Sequence, residues 1–501
     1  MFAPTVALAL VGGIFFLTLR PGQDWSLGDD FAQYILHARN IAEARAYAST
    51  GYIYNPDLAV IGPPAYPPVF PLALAPVWAV FGLNLLAMKT LVVAFFVGAL
   101  ALASELMRPA LSPLERGAII AIVGLNPYFW DFKDAILSDF PFMFFAFAAL
   151  VVAARLTHSR SAPAPLWQAA CLGCALYLAY GTRVAGIALA VAVVAFDVLT
   201  LRRLRRATLV ALVIFGALAG AQQLLIPGVD AYLGQLAFDP AALPPLLLAN
   251  AGALGAAFSS LWTAEPSSPL ALGALLAAAA VVAGGYLLQI KRDFTIVEVL
   301  GPAYLALIVA WPHGHELRFL FPLVPLAVYY GWLGLRALPI PDRLRVQIAR
   351  PLFGGLVAAV LLAYAARYVG FDYGPIRSGI AAPDTQALFA FVRDQTNPAD
   401  VIVFRRPRAL ALFTGRASGP YSPGSDRRDA WTYLRDIGAG YVVAAPQDQR
   451  FWSALAAQSP DLVTPVYRNQ TFVAYHIRMP PPGAPLPPPV PGPTPGEDDD
   501  L

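Results

Sequence analysis

Long apolar stretches separated by short polar loops dominate the chain up to about residue 370, and shorter alternating elements follow. The apolar stretches fall at roughly 3–19, 84–106, 114–130, 139–156, 167–182, 184–201, 207–226, 269–290, 294–311, 319–336 and 352–369. Crossing a bilayer takes about 20 helical residues, so the pattern predicts about 11 transmembrane helices and a polytopic α-helical membrane protein. One further apolar stretch runs from Tyr66-Pro67-Pro68-Val69-Phe70-Pro71 to Phe81-Gly82. It is short and Pro-rich, which suits a second interfacial or re-entrant helix better than a full span.

From Phe371 the periodicity changes. Asp384 to Thr396 reads as an amphipathic helix, Asp400 to Phe404 as a strand, Asp426 to Ile437 as a helix and Tyr441 to Ala445 as a strand. Phe451 to Ala457 reads as a short helix. Leu462–Tyr467 and Thr471–Ile477 read as a hairpin around Asn469-Gln470. These elements predict a small C-terminal α/β domain, so the chain divides into a membrane region 1–370, an outer domain 371–478 and a tail 479–501. The tail is Pro-rich, ends Glu497-Asp498-Asp499-Asp500, and is expected to be disordered.

Composition agrees with the membrane reading. Hydrophobic residues make up 58% of the 501 and charged residues 13%, against about 25% charged in soluble domains. The basic loop residues give the chain a direction. Arg108, Arg116, Arg155, Arg160, Arg202 to Arg206, Lys291, Arg292, Arg336, Arg343, Arg345 and Arg350 fall on one side if 67–81 is not a span. The positive-inside rule makes that side cytoplasmic, with the N-terminus inside and the C-terminal domain extracytoplasmic. The first segment lacks a basic leader and an A-x-A site and reads as a retained anchor. Cys171 and Cys174 form a C-x-x-C inside an apolar helix and are expected to be small buried packing residues. No P-loop, G-x-G-x-x-G or H-E-x-x-H occurs, and nothing points to nucleic acid.

Chemistry concentrates just after the first segment, in Gly28-Asp29-Asp30-Phe31-Ala32-Gln33-Tyr34-Ile35-Leu36-His37. Asp30, Gln33, Tyr34 and His37 recur at i, i+3, i+4 and i+7, one helical face, which is expected to look onto a cavity or water. Ser26 or Asp29 could cap this helix, and an N-cap with a solvated first turn is the plain alternative to a catalytic acid pair. On the same predicted side lie Lys133, Asp134, Asp139, Arg183 and His313 to Arg318. Ionisable groups at membrane helix ends are costly unless they are used or snorkel. Asp139 with Ser138 reads either as a cap or as a site residue, Arg183 and Lys133 as site residues or snorkelling cations, and Arg318 as a site residue or a partner of Glu316. His313, His315 and Glu316 give a weak metal pattern. Thr414-Gly415-Arg416 reads first as a turn.

The membrane region resembles the GT-C membrane glycosyltransferases, in particular the RgtA/B/C/D-like bacterial members, whose relatives include protein O-mannosyltransferases and the lipid A aminoarabinose transferase. The resemblance rests on Asp30, Tyr34 and Arg39 at their spacing, on Tyr66-Pro67-Pro68 before Phe81-Gly82, on Asp139-Phe140-Pro141, and on Arg318-Phe319-Leu320-Phe321-Pro322. Some relatives carry Glu-Lys just before the Pro-Pro, where this chain has Ala65-Tyr66. The resemblance implies a sugar donor linked to polyprenyl phosphate, an acceptor outside the cytoplasm, and a place in the bacterial inner membrane. Members differ in metal use, so a divalent ion is compatible with it. A polyprenyl phosphate leaves as a stable anion, so the reaction needs a base for the acceptor hydroxyl and positive charge for the phosphate. Asp30 is the expected base, with Asp139 as a second catalytic residue; Asp29, Tyr34, Lys133, Arg183 and Arg318 are the expected substrate and lipid-phosphate contacts. The competing readings are a lipid or polysaccharide transporter, which would be expected to show internal repeats, and an inactive envelope scaffold.

Overall fold

The computed structural model describes residues 2–158, 165–228, 243–259, 269–311, 316–338, 342–481 and 484–490. The membrane region contains α1 (Phe2–Leu17), α2 (Asp30–Ala42), α3 (Val69–Phe81), α4 (Leu85–Leu106), α5 (Pro113–Gly124), α6 (Pro127–Phe132), α7 (Asp139–His158) and α8 (Leu166–Tyr180). It continues with α9 (Ile187–Leu201), α10 (Arg206–Leu225), α11 (Leu243–Ser259), α12 (Pro269–Arg292), α13 (Ile296–Val309), α14 (Val324–Arg336) and α15 (Asp342–Val369). Among the described residues, 6 helical stretches are long and apolar enough to cross a bilayer: Leu85–Leu106, Asp139–Thr157, Val184–Leu201, Arg206–Leu225, Leu272–Arg292 and Leu317–Arg336. Shorter apolar helices, α1, α3, α8, α11 and α13 among them, complete the bundle.

The expected span 114–130 is two helices. Asn126 is extended (φ −60°, ψ 129°) and its side chain accepts from the Tyr128 N–H, while Pro127 opens α6. A proline disfavours helical geometry in the residue before it, so the chain stops and restarts here. The α3 helix has 13 residues, about 20 Å at 1.5 Å per residue, short of a bilayer of about 30 Å. The α11 helix lies between the expected spans 207–226 and 269–290, where the apolar pattern predicts no span. In the bundle α4 packs on α7, α8 on α10, and α12 on α14. The last pair crosses at Gly285 and Gly334, where an added Cβ would collide with the Tyr330 and Val281 carbonyls, so only glycine permits this approach. Cys171 and Cys174 are exposed on α8 rather than buried, on the outside of the bundle.

The C-terminal domain follows the expected alternation, with two additions. It runs α16 (Pro383–Gln395), β1 (Val401–Val403), α17 (Pro407–Thr414), β2 (Ala417–Gly419), α18 (Ala430–Ile437), β3 (Ala439–Ala444), α19 (Gln449–Gln458), β4 (Val463–Arg468) and β5 (Val473–Ile477). The sheet order is β2-β1-β3-β5-β4, with β1 parallel to β2 and β3, and β5 antiparallel to β3 and β4. The hairpin turns at Asn469, whose side-chain oxygen accepts from the Thr471 and Phe472 N–H groups. The α17 helix and β2 are the additions. The helix ends on Gly415 at φ 73°, the left-handed conformation that favours glycine.

Membrane region and C-terminal domain share one apolar core. Ile35, Phe70, Phe96 and Phe321 belong to the same cluster as Leu388, Phe389, Ile402 and Leu410. Trp25 bridges them, with its ring 6.5 Å from Phe389 and 6.2 Å from Phe404. The first loop also lends the sheet an edge: Ile53 N–H donates to the Ser418 carbonyl and Ser418 N–H to the Gly51 carbonyl, both at 2.8 Å. A second cluster around Trp431, Tyr433 and Trp452 is packed over by Met479, Leu486 and Val490, so the start of the tail lies against the domain. Residues 491–501 of the expected disordered tail lie outside the described residues.

Candidate active site

The α2 helix follows α1 and forms where the hydrophobic periodicity placed it, but its polar face does not look onto water. Gln33, His37 and Asn40 are fully buried against the loop that follows. Gln33 donates to the Pro64 carbonyl at 2.7 Å, and the Asn40 amide reaches the carbonyls of Ala46, Tyr47 and Ser49. His37 stacks on Tyr47 at 4.1 Å, and its Nε2 accepts from the Tyr66 N–H at 3.2 Å. Its Nδ1 therefore carries the proton and donates to the Tyr47 carbonyl, 2.9 Å away. Burial pushes the His37 imidazole down to about 4, so it is neutral. Together with the Tyr47 hydroxyl, which donates to the Tyr66 carbonyl at 2.8 Å, it fixes the backbone of Tyr66.

Tyr66 is one of two residues that the sequence reading missed. Its hydroxyl donates to Asp30 Oδ1 at 2.8 Å and accepts from the Arg408 guanidinium. Arg408 is the other. It stands at the start of α17 in the C-terminal domain, almost wholly buried, and faces both acidic residues. Its Nε and Nη2 donate to Asp29 Oδ1 at 2.9 and 2.7 Å, while the N–H groups of Arg408 and Ala409 donate to Asp29 Oδ2 at 2.8 and 3.2 Å. Asp29 thus caps α17, not its own helix, to which its side chain makes no capping bond. Arg408 Nη2 also lies 2.9 Å from Asp30 Oδ1.

The two acids of the pair consequently differ. Asp29 is 1% exposed and saturated by Arg408 and Ala409, whereas the Asp30 side chain keeps 26% exposure. Asp30 Oδ2 faces Arg318 Nη1 at 3.9 Å. Burial would raise the Asp30 carboxyl, but Arg408, Arg318, the Tyr66 hydroxyl and Arg183 outweigh it and hold it below the usual range.

Three more of the expected residues converge here. Tyr34, one turn along α2, shares a 2.8 Å hydrogen bond with Ser138. Asp139, the next residue, is buried and paired with Arg183. Arg183 and Arg318 lie on Phe319, at 5.1 and 5.2 Å from its ring centre. Arg318 also holds Glu316 at 2.8 Å. Lys133 is not brought to this cluster. It is buried with Asp134 at 2.6 Å, 3.9 Å over the Trp130 ring, and Asp134 is shared with Lys89. Arg416 is a buried cap for the carbonyls of Arg393, Thr396 and Thr414. His313 and His315 lie outside the described residues. Among the described residues no group of three or more His, Cys, Asp or Glu gathers to hold a metal ion.

Asp29, Asp30, Asp139 and Glu316 face Arg183, Arg318 and Arg408, and the charge of Arg406 also acts on Asp29 and Asp30, so four carboxylates are matched by four guanidinium groups. The arrangement can polarise a hydroxyl at Asp30 and present two guanidinium groups to an anion. A separate cleft of about 250 Å³ opens next to the start of α2, between Ser26, Gly28 and Phe31 on one side and Tyr128, Asp131 and Phe132 on the other.

No family model and no curated sequence matches the chain. Solved structures do. An oligosaccharyltransferase from Archaeoglobus fulgidus in its apo form has a TM-score of 0.56 at 13% identity, covering 90% of this chain and 71% of that one. The oligosaccharyltransferase AglB from Archaeoglobus fulgidus, in complex with an inhibitory peptide and a dolichol-phosphate, gives 0.58 at 12% identity, with 91% and 71% covered. ArnT from Cupriavidus metallidurans, bound to undecaprenyl phosphate, gives 0.55 at 14%, with 94% of this chain and 97% of that chain covered. The chain thus has the fold of the GT-C membrane transferases, as the sequence resemblance implied. With 94% of the chain covered, the likeness extends into the C-terminal domain as well as the bundle.

Proposed function

We propose that the protein is a membrane glycosyltransferase that moves a sugar from a polyprenyl-phosphate-linked donor to an acceptor outside the cytoplasm. The observation that carries this reading is the contrast within one acidic pair: Asp29 is locked in an ion pair, and Asp30 is ionised, partly exposed and set beside arginines. In the proposed reaction Asp30 Oδ2 takes the acceptor proton while the acceptor oxygen forms its bond to the anomeric carbon. The bond from that carbon to the phosphate oxygen breaks on the opposite face, so the configuration inverts. A weak base suffices, because the hydroxyl loses its proton only as positive charge builds on the sugar.

The leaving phosphate needs cations. Arg318 is the readier of the two, because its partner Glu316 is 48% exposed and a solvent-exposed ion pair is held weakly. Arg183 is tied to the buried Asp139 and adds a fixed positive field. Tyr34 and Ser138 line the same wall. The lipid carriers seen with two of the structural neighbours support a lipid-linked donor for this chain. The site is assigned to the extracytoplasmic side of a bacterial inner membrane, because the basic loops define the other side. Mass spectrometry of envelope glycans and glycolipids with and without the gene tests the reading: one sugar should be missing without it, and an unchanged glycan and glycolipid profile would count against it.

A further inference from the structure

We infer that Arg408, supplied by the outer domain, is a positioning residue for Asp30, so that the catalytic carboxylate is complete only when α17 is docked on α2. The inference rests on the proposed role of Asp30 and goes beyond it by making the outer domain part of the catalytic unit.

The geometry carries it. Asp30 Oδ1 is occupied twice, by the Tyr66 hydroxyl at 2.8 Å and by Arg408 Nη2 at 2.9 Å. That leaves Oδ2 as the oxygen free to accept a proton, and fixes the direction of its lone pairs. Arg408 is itself aimed by Asp29, through two side-chain bonds and the capping of α17. The line Asp29, Arg408, Asp30 therefore crosses from the first loop to the outer domain and back. Planar guanidinium suits this task, because one fork can hold two carboxylates at fixed angles, as an ammonium cannot. Two further contacts keep the domain docked without touching Asp30: the pairing of Gly51 and Ile53 with Ser418, and Arg428 with Asp57 at 3.2 Å. The charged and titratable groups facing Asp30 are Arg408, Arg406, Arg318, Arg183, Tyr52 and Tyr66, with Asp29 beside it, Tyr34 on its own helix, and Glu316 and Asp139 behind the two membrane arginines.

Removing Arg408 alone would strand the buried Asp29 charge, so the test uses the neutral pair Asp29→Asn/Arg408→Gln, which removes both charges together. Loss of a cation in contact with a carboxylate raises its pKa by about 1–3. The double variant should stand at the low end, because the Asp29 charge goes too. Two measurements report it in the full-length protein. The first is the acid limb of the rate of transfer from a polyprenyl-phosphate sugar. The second is the pH dependence of carbodiimide labelling at Asp30, read by peptide mass mapping, which needs no turnover. Both midpoints should rise by about one pH unit. Arg408→Lys keeps the charge, so its labelling midpoint should stay near the wild-type value while kcat falls about tenfold or more through lost orientation. Arg428→Gln removes one docking contact while the pairing of Gly51 and Ile53 with Ser418 remains, so it should leave both midpoints in place. Unmoved midpoints in a folded double variant would overturn the inference and leave the transferase reading standing. A wild type that transfers no sugar, with a labelling midpoint that still moves, would sink the transferase reading and keep the Arg408–Asp30 coupling.

Discussion

Neutralising the two neighbouring acids one at a time should give opposite phenotypes. Asp29→Asn keeps the shape of a residue that is 1% exposed but removes the charge facing an arginine that is 2% exposed. It turns an amide N–H₂ toward donors that all need an acceptor. Breaking one side of a buried ion pair costs about 3–5 kcal/mol. Asp30 still lies 2.9 Å from Arg408, so the expected loss is near the lower figure, about 3 kcal/mol. Thermal unfolding of the purified protein in detergent should show it as a drop of several degrees, with the outer domain loosening first. Asp30→Asn should behave otherwise. Its side chain is a quarter exposed and keeps an oxygen for the Tyr66 hydroxyl, so stability should change by only about 1 kcal/mol. Turnover should fall roughly 10²–10⁴-fold, the range for loss of a general base. A thermally normal Asp29→Asn variant without turnover, beside an active Asp30→Asn variant, would reverse the roles and refute the assignment.

Other outcomes follow from the same geometry. Arg318→Ala should weaken binding of the lipid-linked donor about 10- to 100-fold, the equivalent of about 1.5–3 kcal/mol for a charged hydrogen bond, with little effect on melting; Arg318→Lys should recover only part. Unchanged donor affinity in the Ala variant would make Arg318 a partner of Glu316 only. His37 has a folded pKa of about 4, below its free value near 6.5, so between the two the unfolded chain binds more protons. Stability should be full above about pH 6.5 and fall by roughly 3 kcal/mol as the pH drops toward 4. A His37→Gln variant should lack this decline, and an identical decline would place its origin elsewhere. A single cysteine introduced at Arg205 should resist an impermeant thiol reagent in intact cells, and one at Ser453 should react; labelling at Arg205 would overturn the orientation.

Much of the membrane region could be read from the chain because apolar periodicity is local. The position of α2, the shortness of α3 and the closing hairpin around Asn469 all follow from runs of neighbouring residues. The break in the 114–130 stretch was also written locally, in Asn126-Pro127, but the continuous apolar run masks it. The exposure of Cys171 and Cys174 was not, because which side of an apolar helix faces lipid depends on its neighbours. The site divides the same way. Asp30 and Tyr34 lie one turn apart on α2, and Asp139, Arg183 and Arg318 each sit at an end of an apolar run, where a charge stands out. Arg408 gave no such signal. It lies in Arg405-Arg406-Pro407-Arg408, a basic run that reads as solvated surface, and 379 positions separate it from Asp29. Tyr66 was visible only as a departure from the Glu-Lys of some relatives. Its hydroxyl meets Asp30 because His37 and Tyr47 hold its backbone, a three-residue arrangement without a sequence period.

The identity of the donor is tested most directly by transfer from defined substrates. Purified protein in lipid nanodiscs can be given a radiolabelled sugar on a short-chain polyprenyl phosphate, beside the matching nucleotide sugar, with envelope glycolipid as acceptor. Label should pass from the lipid-linked donor, with release of free polyprenyl phosphate, inversion at the anomeric carbon, and no transfer from the nucleotide sugar. Transfer from the nucleotide sugar, with none from the lipid donor, would exclude a lipid-linked donor.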